Sequence, residues 1–307
     1  MRDLKNKLTS SKNSKNIQNR KGKSFGYQVL GFGAGGGGSP FLVATGGTET
    51  TSGNCKIHTF TGPGTFTVCA VSTEPTNNLV SYIVVAGGGG AGHGGGGGGG
   101  FREVVSPTAP YTGSPLDGYP TAPNRITVTA TGFPITVGAA GALGPDTGTC
   151  QTSGGDSIFS TITSTGGGKG GSGSGGGQPN GVPTVNAKGE TGGSGGGSGA
   201  SGSSGVTVPG GLGNTPPESP AQGTNGGSGR FQYNSYGGGG GGGGAGGAGG
   251  CYSCGESITG GPGVVSNITA SPVTYSRGGP SPATANSGNG STVAGNSGIV
   301  VIRYKFQ

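Results

Sequence analysis

The segment Tyr82-Ile83-Val84-Val85-Ala86-Gly87-Gly88-Gly89-Gly90-Ala91-Gly92-His93-Gly94-Gly95-Gly96-Gly97-Gly98-Gly99-Gly100 joins two kinds of backbone. Its opening is apolar and rich in β-branched residues, which predicts a short strand over residues 82–86. The rest carries no side chain beyond those of Ala91 and His93. Such a run has nothing with which to fill a core. In a helix each of its glycines would cost about 1 kcal/mol relative to Ala. The fold has to be assembled from strands and from glycine backbone that packs without side chains.

Composition extends this reading to the whole chain. Gly supplies 82 of 307 residues, where ordinary usage is about 7%. Only 28% of residues are hydrophobic, 9% are charged, and Trp is absent. Ordinary domains are roughly 45–50% apolar and about 25% charged. A TIM barrel, a doubly wound α/β fold and a helical bundle are therefore excluded. Collagen is excluded too, because Gly falls in blocks such as residues 94–100 and 237–244 rather than at every third position, and there are only 20 Pro. The expected fold is all-β: a small β-sandwich over residues 41–165 with 298–307, an inserted glycine-rich region over 166–297, and an extended N-terminal arm over 1–40.

Within the β part, residues 56–60 and 65–69 flank Thr61-Gly62-Pro63-Gly64 and read as a hairpin. A four-residue loop pairs Phe60 with Thr65, Thr59 with Phe66 and Ile57 with Val68, so that Ile57, Thr59, Phe66 and Val68 share a face. Cys55 then falls on the Ile57 face and Cys69 on the other, which disfavours a bridge between them. His58 reads as a solvent-facing strand residue. Further strands are expected over residues 82–86, 125–130, 135–137 and 158–163. The chain ends on the apolar run Gly298-Ile299-Val300-Val301-Ile302-Arg303-Tyr304. A β part that starts near residue 41 and ends on this run predicts a sheet closed by its two ends, from which the glycine-rich stretch leaves and returns.

That stretch has two readings. One is a flexible Gly/Ser linker; a structureless loop of this length inside a domain is uncommon. The other is a bundle of polyglycine-II helices in the polyproline-II conformation, with three residues per turn and about 3.1 Å rise. Without Cβ atoms such helices approach closely and bond to one another. Fixing a residue costs about 1–2 kcal/mol, while each bond returns about 0.5–1.5. A lone helix therefore cannot form, but a lattice of several can, with other subunits able to complete it. Gln178-Pro179-Asn180-Gly181 and Asn214-Thr215-Pro216-Pro217 would supply its turns.

Charge is confined to one end. Arg2, Lys5, Lys7, Lys12, Lys15, Arg20, Lys21 and Lys23 face a single acid, Asp3, and account for the net +7; the remainder is neutral. No nucleic-acid partner is expected, because no basic patch beyond the tail could follow a phosphate backbone. No apolar run long enough for a signal peptide or a bilayer span is present, so no membrane insertion is expected. The aromatic segment Tyr27-Gln28-Val29-Leu30-Gly31-Phe32 suits burial against a partner. With the basic residues it forms the expected anchoring set, Tyr27, Val29, Leu30 and Phe32 being its apolar members.

Catalytic and metal-binding patterns are weak. Matches to Gly-x-Gly-x-x-Gly arise by chance in so glycine-rich a chain, and Gly168-Lys169-Gly170 is not a P-loop. His58 and His93 have no carboxylate or Cys cluster beside them, and no cofactor is expected. Cys251-Tyr252-Ser253-Cys254 is a lone C-x-x-C, a poor zinc site and a candidate local disulfide between Cys251 and Cys254. Phe101, Tyr111, Tyr119, Phe231, Tyr233, Tyr236 and Tyr252 flank glycine runs or sit in Pro-rich loops. They are the large side chains available there for contact with sugars or protein surfaces.

The pattern His58-Thr59-Phe60-Thr61-Gly62-Pro63-Gly64-Thr65-Phe66-Thr67-Val68, then Ile83-Val84-Val85-Ala86-Gly87-Gly88-Gly89-Gly90, then the terminal run 298–304, resembles the glycine-rich domain of tailed-phage virion proteins, many from marine phages. Tyr27 to Gly33 looks like the start of such proteins. The glycine-rich tract is similar in kind to the tail-fibre-tip adhesins of T-even-like phages, whose polyglycine-II sandwich presents variable loops to host receptors; unlike them, this chain has a β-rich first half. The resemblance implies a non-enzymatic appendage on the virion surface, a homotrimer, that attaches to other virion proteins by its N-terminus and binds a host cell-surface receptor through its glycine-rich tip. A capsid-attached fibre or decoration protein, and a secreted ice-binding or matrix protein, are the alternative expectations.

Overall fold

The computed structural model describes residues 38–143, 151–172, 185–200, 206–232, 235–252, 259–281, 284–291 and 294–307. Contacts divide the chain into Met1–Gly38 and Ser39–Gln307. Residues 1–37 of the expected arm, with all its anchoring residues from Arg2 to Phe32, lie outside the described residues.

Strands form where the β-branched and aromatic residues cluster. In chain order they are β1 (Val43–Thr45), β2 (Thr48–Ser52), β3 (Cys55–Phe60), β4 (Gly64–Ala70), β5 (Ser81–Val85), β6 (Phe101–Val104), β7 (Gly132–Thr136), β8 (Ser157–Phe159), β9 (Ile162–Ser164), β10 (Thr207–Val208), β11 (Gly229–Gln232), β12 (Ser235–Gly238), β13 (Val264–Ser266), β14 (Val273–Tyr275) and β15 (Ile299–Lys305). Two five-stranded sheets run β1-β4-β7-β8-β9 and β2-β3-β15-β5-β6, and smaller ones run β10-β11-β12 and β13-β14. The described pairings are antiparallel, and the all-β expectation holds.

The terminal run closes its sheet from within. β15 sits between β3 and β5, with Val301 opposite Thr59 on one side and Ile83 on the other. It is buried on both faces, which is why it reads as continuous apolar sequence. Val300, Ile302 and Tyr304 join Phe60, Phe66, Val68, Tyr82, Ile135 and Phe159 in a core drawn from both large sheets. Phe159 meets Tyr82 edge-on across the two sheets at 5.7 Å between ring centroids. Ile299 and Val301 face the opposite way, into a second core with Ile57, Ile83, Val85, Phe101, Ile268 and Tyr275.

The expected hairpin does not form. β3 pairs with β2 and β15, while β4 pairs with β1 and β7, so the residues between them arch from one sheet to the other. Ile57 consequently lies in the second core and Phe66 and Val68 in the first, not on a shared face. The turn residues fit an arch as well as a hairpin, and the terminal strand takes the β3 edge a hairpin would need. His58 is also corrected: it is fully buried rather than solvent-facing. Its Nδ1 lies 2.6 Å from the Gly46 carbonyl oxygen and its Nε2 3.2 Å from the Tyr304 hydroxyl. The carbonyl can only accept, so Nδ1 carries the proton and Nε2 accepts from Tyr304.

Two other expectations change. No strand covers residues 125–130; a short 3-10 turn over Ala122–Asn124, with Pro near its start, leads into a single bridge of Thr127 to Leu79. Ile126 and Val128 still reach the first core. Residues 158–163 form a hairpin of β8 and β9 rather than one strand, turning at Ser160 with φ 54°.

The glycine segments bond with a three-residue period. The N–H groups of Gly94, Gly97 and Gly100 donate to the carbonyls of Gly171, Gly168 and Thr165. Those of Gly95 and Gly98 donate to Gly240 and Gly243, and those of Gly96 and Gly99 to Ser291 and Gly288. The carbonyls follow the same rule. Gly94, Gly97 and Gly100 accept from Gly92, Gly89 and Ala86, and Gly95 and Gly98 from Gly197 and Ser194. Gly96 accepts from Gly279 N–H and Gly99 from Ser276 Oγ. Residues 94–100 thus have six neighbouring segments, three taking donors and three supplying them, and all are buried. A ladder of β type sends alternate groups to two neighbours; here successive residues bond in three directions and the fourth returns to the first.

These glycines are selected for closeness, not for unusual torsions. Among the described glycines only Gly46, Gly47, Gly53 and Gly288 have left-handed φ. A Cβ on Gly96 would sit 2.0 Å from the Gly89 carbonyl oxygen, and one on Gly95 2.0 Å from that of Gly279. The network also includes residues 87–100, 138–142 and 154–155, which the sequence reading assigned to the sandwich. It runs directly into β5, β6, β9, β13, β14 and β15. Since bond gain and ordering cost nearly cancel within the network, these junctions matter: the two apolar cores fix the ends of the glycine segments in place.

Candidate functional site

The network has two ends. Gly100 continues into β6, Thr165 follows β9 and Ser276 follows β14, so one end abuts the sheets. Gly94, Gly171, Ser198 and Gly240 lie at the end distal to the two large sheets, beside the small sheet β10-β11-β12, connected by Gly94 N–H to Gly171 O, Gly240 N–H to Ser198 O and Gly95 N–H to Gly240 O. There the chain turns at Ala91-Gly92-His93, with His93 exposed.

Polar side chains gather at this sheet-distal end. A small cavity of about 80 Å³ is lined by Gln151, Lys169, Ser172, Asn186, Lys188 and Glu190. Lys169 Nζ and Glu190 Oε1 form an ion pair at 3.2 Å. Gln151 is buried; its Nε2 donates to the Gly170 carbonyl at 3.1 Å and to Ser172 Oγ. The carbonyl fixes the amide orientation, because it can only accept. The Gln151 Oε1 acceptor is buried without a partner. The residue types suit hydrogen bonding to a hydroxyl-bearing or charged ligand. Among the described residues no group of three or more His, Cys, Asp or Glu could hold a metal, and no helix is long and apolar enough to cross a membrane.

The aromatic residues proposed for contact divide. Phe101 is 1% exposed and stacks on Tyr275 at 6.1 Å, so it is a core residue and not a surface contact. Its place directly after a glycine run gave no sign of this; the alternation of β6 against β5 does. Tyr111 is packed against the second core, its hydroxyl donating to Glu103 Oε1 at 3.0 Å. Burial and the nearby Glu103 carboxylate push that phenol well above its ordinary pKa. Tyr119 is half-buried, with the Arg125 guanidinium 4.5 Å from its ring centroid. Phe231 lies on β11 and Tyr236 on β12, and Tyr252 is half-buried. Tyr233 and Cys254 are outside the described residues. Cys251 is disulfide-bonded, and Cys55 and Cys69 are free thiols.

Sequence reasoning missed a buried carboxylate. Glu103, 2% exposed, accepts from Tyr111 Oη, from Ser266 Oγ at 2.5 Å and from Ser114 N–H at 2.7 Å. These donors hold the covering segment and β13 against the sheet. Arg102, pointing the other way, pairs with Glu218 at 2.6 Å and donates to Asn124 Oδ1 at 2.7 Å. A charged pair in the middle of the short run Phe101-Arg102-Glu103-Val104 was the signal available in the sequence.

A family model described as a glycine-rich domain matches residues 59–305, from β3 to the last residue of β15. No curated protein and no solved structure matches the chain. The matched span takes in the glycine network and the strands of both large sheets apart from β1, β2 and the start of β3, and the chain belongs to the glycine-rich domain family.

Proposed function

We propose that this chain is a non-enzymatic structural protein of a phage particle, an appendage held to the virion through its N-terminal region and binding the host surface with the sheet-distal end of its glycine network. The observation that carries the reading is the network's polarity. Its sheet end is locked into two apolar cores, and its distal end presents His93, Lys188 and the Gln151 cavity on short turns. Close-packed backbone makes a rigid support, and rigid display limits the entropy lost on binding. The glycine segments are read as polyglycine-II helices on their three-residue bonding period. A threefold assembly belongs to the same reading by analogy with fibres, which are commonly threefold.

Electron microscopy of particles labelled with an antibody to residues 166–250 tests the location. Label on tail fibres is the expected result; label spread over the shell at tens to hundreds of copies moves the protein to the capsid. The same antibody should block adsorption to host cells. Unlabelled particles, or label with undiminished adsorption, would overturn the attachment reading.

A further inference from the structure

At the other end of the closing strand lies a cationic pocket with no assigned role. Ile299, Val301, Arg303 and Lys305 share the outer face of β15, and the first two belong to the second core. Arg303 is 7% exposed, opposite Ile57 on β3 and Ser81 on β5. Buried guanidinium groups are ordinarily paired with an acid. Among the described residues this one donates to the backbone carbonyls Ile268 O at 3.3 Å and Pro110 O at 3.4 Å, and its Nε has no partner. Its plane lies 5.7 Å from the Tyr111 ring centroid. The buried carboxylate on this face, Glu103, is already engaged by Tyr111, Ser266 and Ser114.

Next to Arg303 a pocket of about 430 Å³ opens between the β2–β3 turn and the segment that covers the sheet. Lys305, Ser52, Asn54 and Thr108 line it with Arg303, and no carboxylate does. Lys305 is half-buried against the Phe41 ring. Among the described residues neither Arg303 nor Lys305 forms an ion pair. The volume falls within the roughly 300–1,000 Å³ typical of small-molecule sites.

We propose that this pocket binds an oxyanion, the carboxylate or phosphate group of a compact polar molecule, with Arg303 and Lys305 on the anion and Ser52, Asn54 and Thr108 on its neutral part. A guanidinium and an ammonium on one face supply charge-assisted hydrogen bonds to the anion. The bound anion neutralises a buried cation that has no acid paired with it among the described residues. The site stands apart from the distal end and does not depend on the attachment reading.

Calorimetry on the full chain at low salt tests it with three probes: glucuronate, inorganic phosphate and neutral glucose. Binding of glucuronate, phosphate or both, weakened by added salt, with glucose silent, is the expected result. Glucuronate alone points to an acidic sugar and phosphate alone to a phosphate ester. Lys305→Gln, at a half-exposed position, should weaken binding about tenfold, the loss of one charge-assisted bond. Arg303→Lys keeps the charge but loses the guanidinium fork and should weaken it as well. Absence of binding by both anions, glucose binding as strongly, or undiminished binding in folded Lys305→Gln would each overturn the site.

Discussion

The glycine network makes a quantitative claim at Gly96. A Cβ there would lie 2.0 Å from the Gly89 carbonyl oxygen, and ordinary contact begins at 3.4 Å, so residues 87–92 must retreat by about 1.4 Å. That carries the 2.8 Å bond from Gly89 N–H to Gly97 O beyond bonding distance. It also strains the bonds from Ala86 N–H to Gly100 O at 3.0 Å and from Gly92 N–H to Gly94 O at 3.1 Å. The site is buried, and each polar group left without a partner costs about 1–3 kcal/mol. Alanine returns about 0.4–1 kcal/mol by restricting the unfolded chain. Gly96→Ala should therefore destabilise by about 3–5 kcal/mol. Gly62 supplies the control, because nothing lies within 4 Å of a Cβ there and its φ is not left-handed; Gly62→Ala should be neutral or stabilising by up to about 1 kcal/mol. Denaturant unfolding of the two variants, with amide exchange at residues 86–100, decides the matter. Equal stability of Gly96→Ala and Gly62→Ala would mean that the tract is not close-packed, and the rigid-support argument would fail with it.

Other consequences follow from the cores. Burial lowers the His58 pKa below 6.5, the Gly46 hydrogen bond and Glu49 acting against it and Lys56 with it; the unfolded chain then takes up the proton first, so stability is present above pH 6.5 and is lost as pH falls from there toward the folded value. Burial raises the phenols of Tyr82, Tyr111 and Tyr304, and that of Tyr275 to about 12, so stability should also fall as pH rises past about 10, the unfolded value. Denaturation midpoints across this range should form a plateau with both shoulders, and His58→Gln should flatten the acid shoulder; an unchanged acid limb would remove His58 from the account. Phe101→Ala should cost about 3–5 kcal/mol in unfolding measurements as a core truncation, and a stability near wild type would return Phe101 to the surface. Glu103→Gln keeps the shape but places an amide against the Ser114 N–H and the two hydroxyls; a loss of about 1–3 kcal/mol is expected, and an unaltered midpoint would show that the carboxylate does not hold the covering segment.

The strands were legible because apolar and β-branched runs can be read one residue at a time. Residues 82–86 and the terminal run are strands β5 and β15 nearly as expected. Pairing was less legible. Thr61-Gly62-Pro63-Gly64 permits a reversal within one sheet or a crossing between two, and the choice rests on β15, which arrives more than two hundred residues later. His58 went wrong for the same reason, since its burial depends on Tyr304 from the terminal strand and on Phe66 from the opposite sheet. The glycine segments show the limit most clearly. Gly98 bonds to Gly243 and Gly99 to Gly288, yet a glycine has no side chain to specify either partner. Composition announces a lattice; which segment lies beside which is set by the strands at its ends.

That division has a consequence for where the chain can change. Within the network nearly every position has carbonyl atoms of another segment where a Cβ would go, at 2.0 Å for Gly170, Gly242 and Gly290 alike. No side chain can be added without parting two segments, so the interior cannot carry recognition. At the turns the constraint lifts: a Cβ at Gly247 meets nothing nearer than the Pro262 ring at 3.1 Å, and His93 projects freely at the distal turn. A support whose interior admits glycine and a few small residues such as Ser194 and Ser198, and whose turns admit many, separates stability from binding by position. Substitutions at His93 or Lys188 can therefore alter what the distal end binds while leaving unfolding unchanged, whereas any substitution at Gly94 to Gly100 must show itself first as a loss of fold.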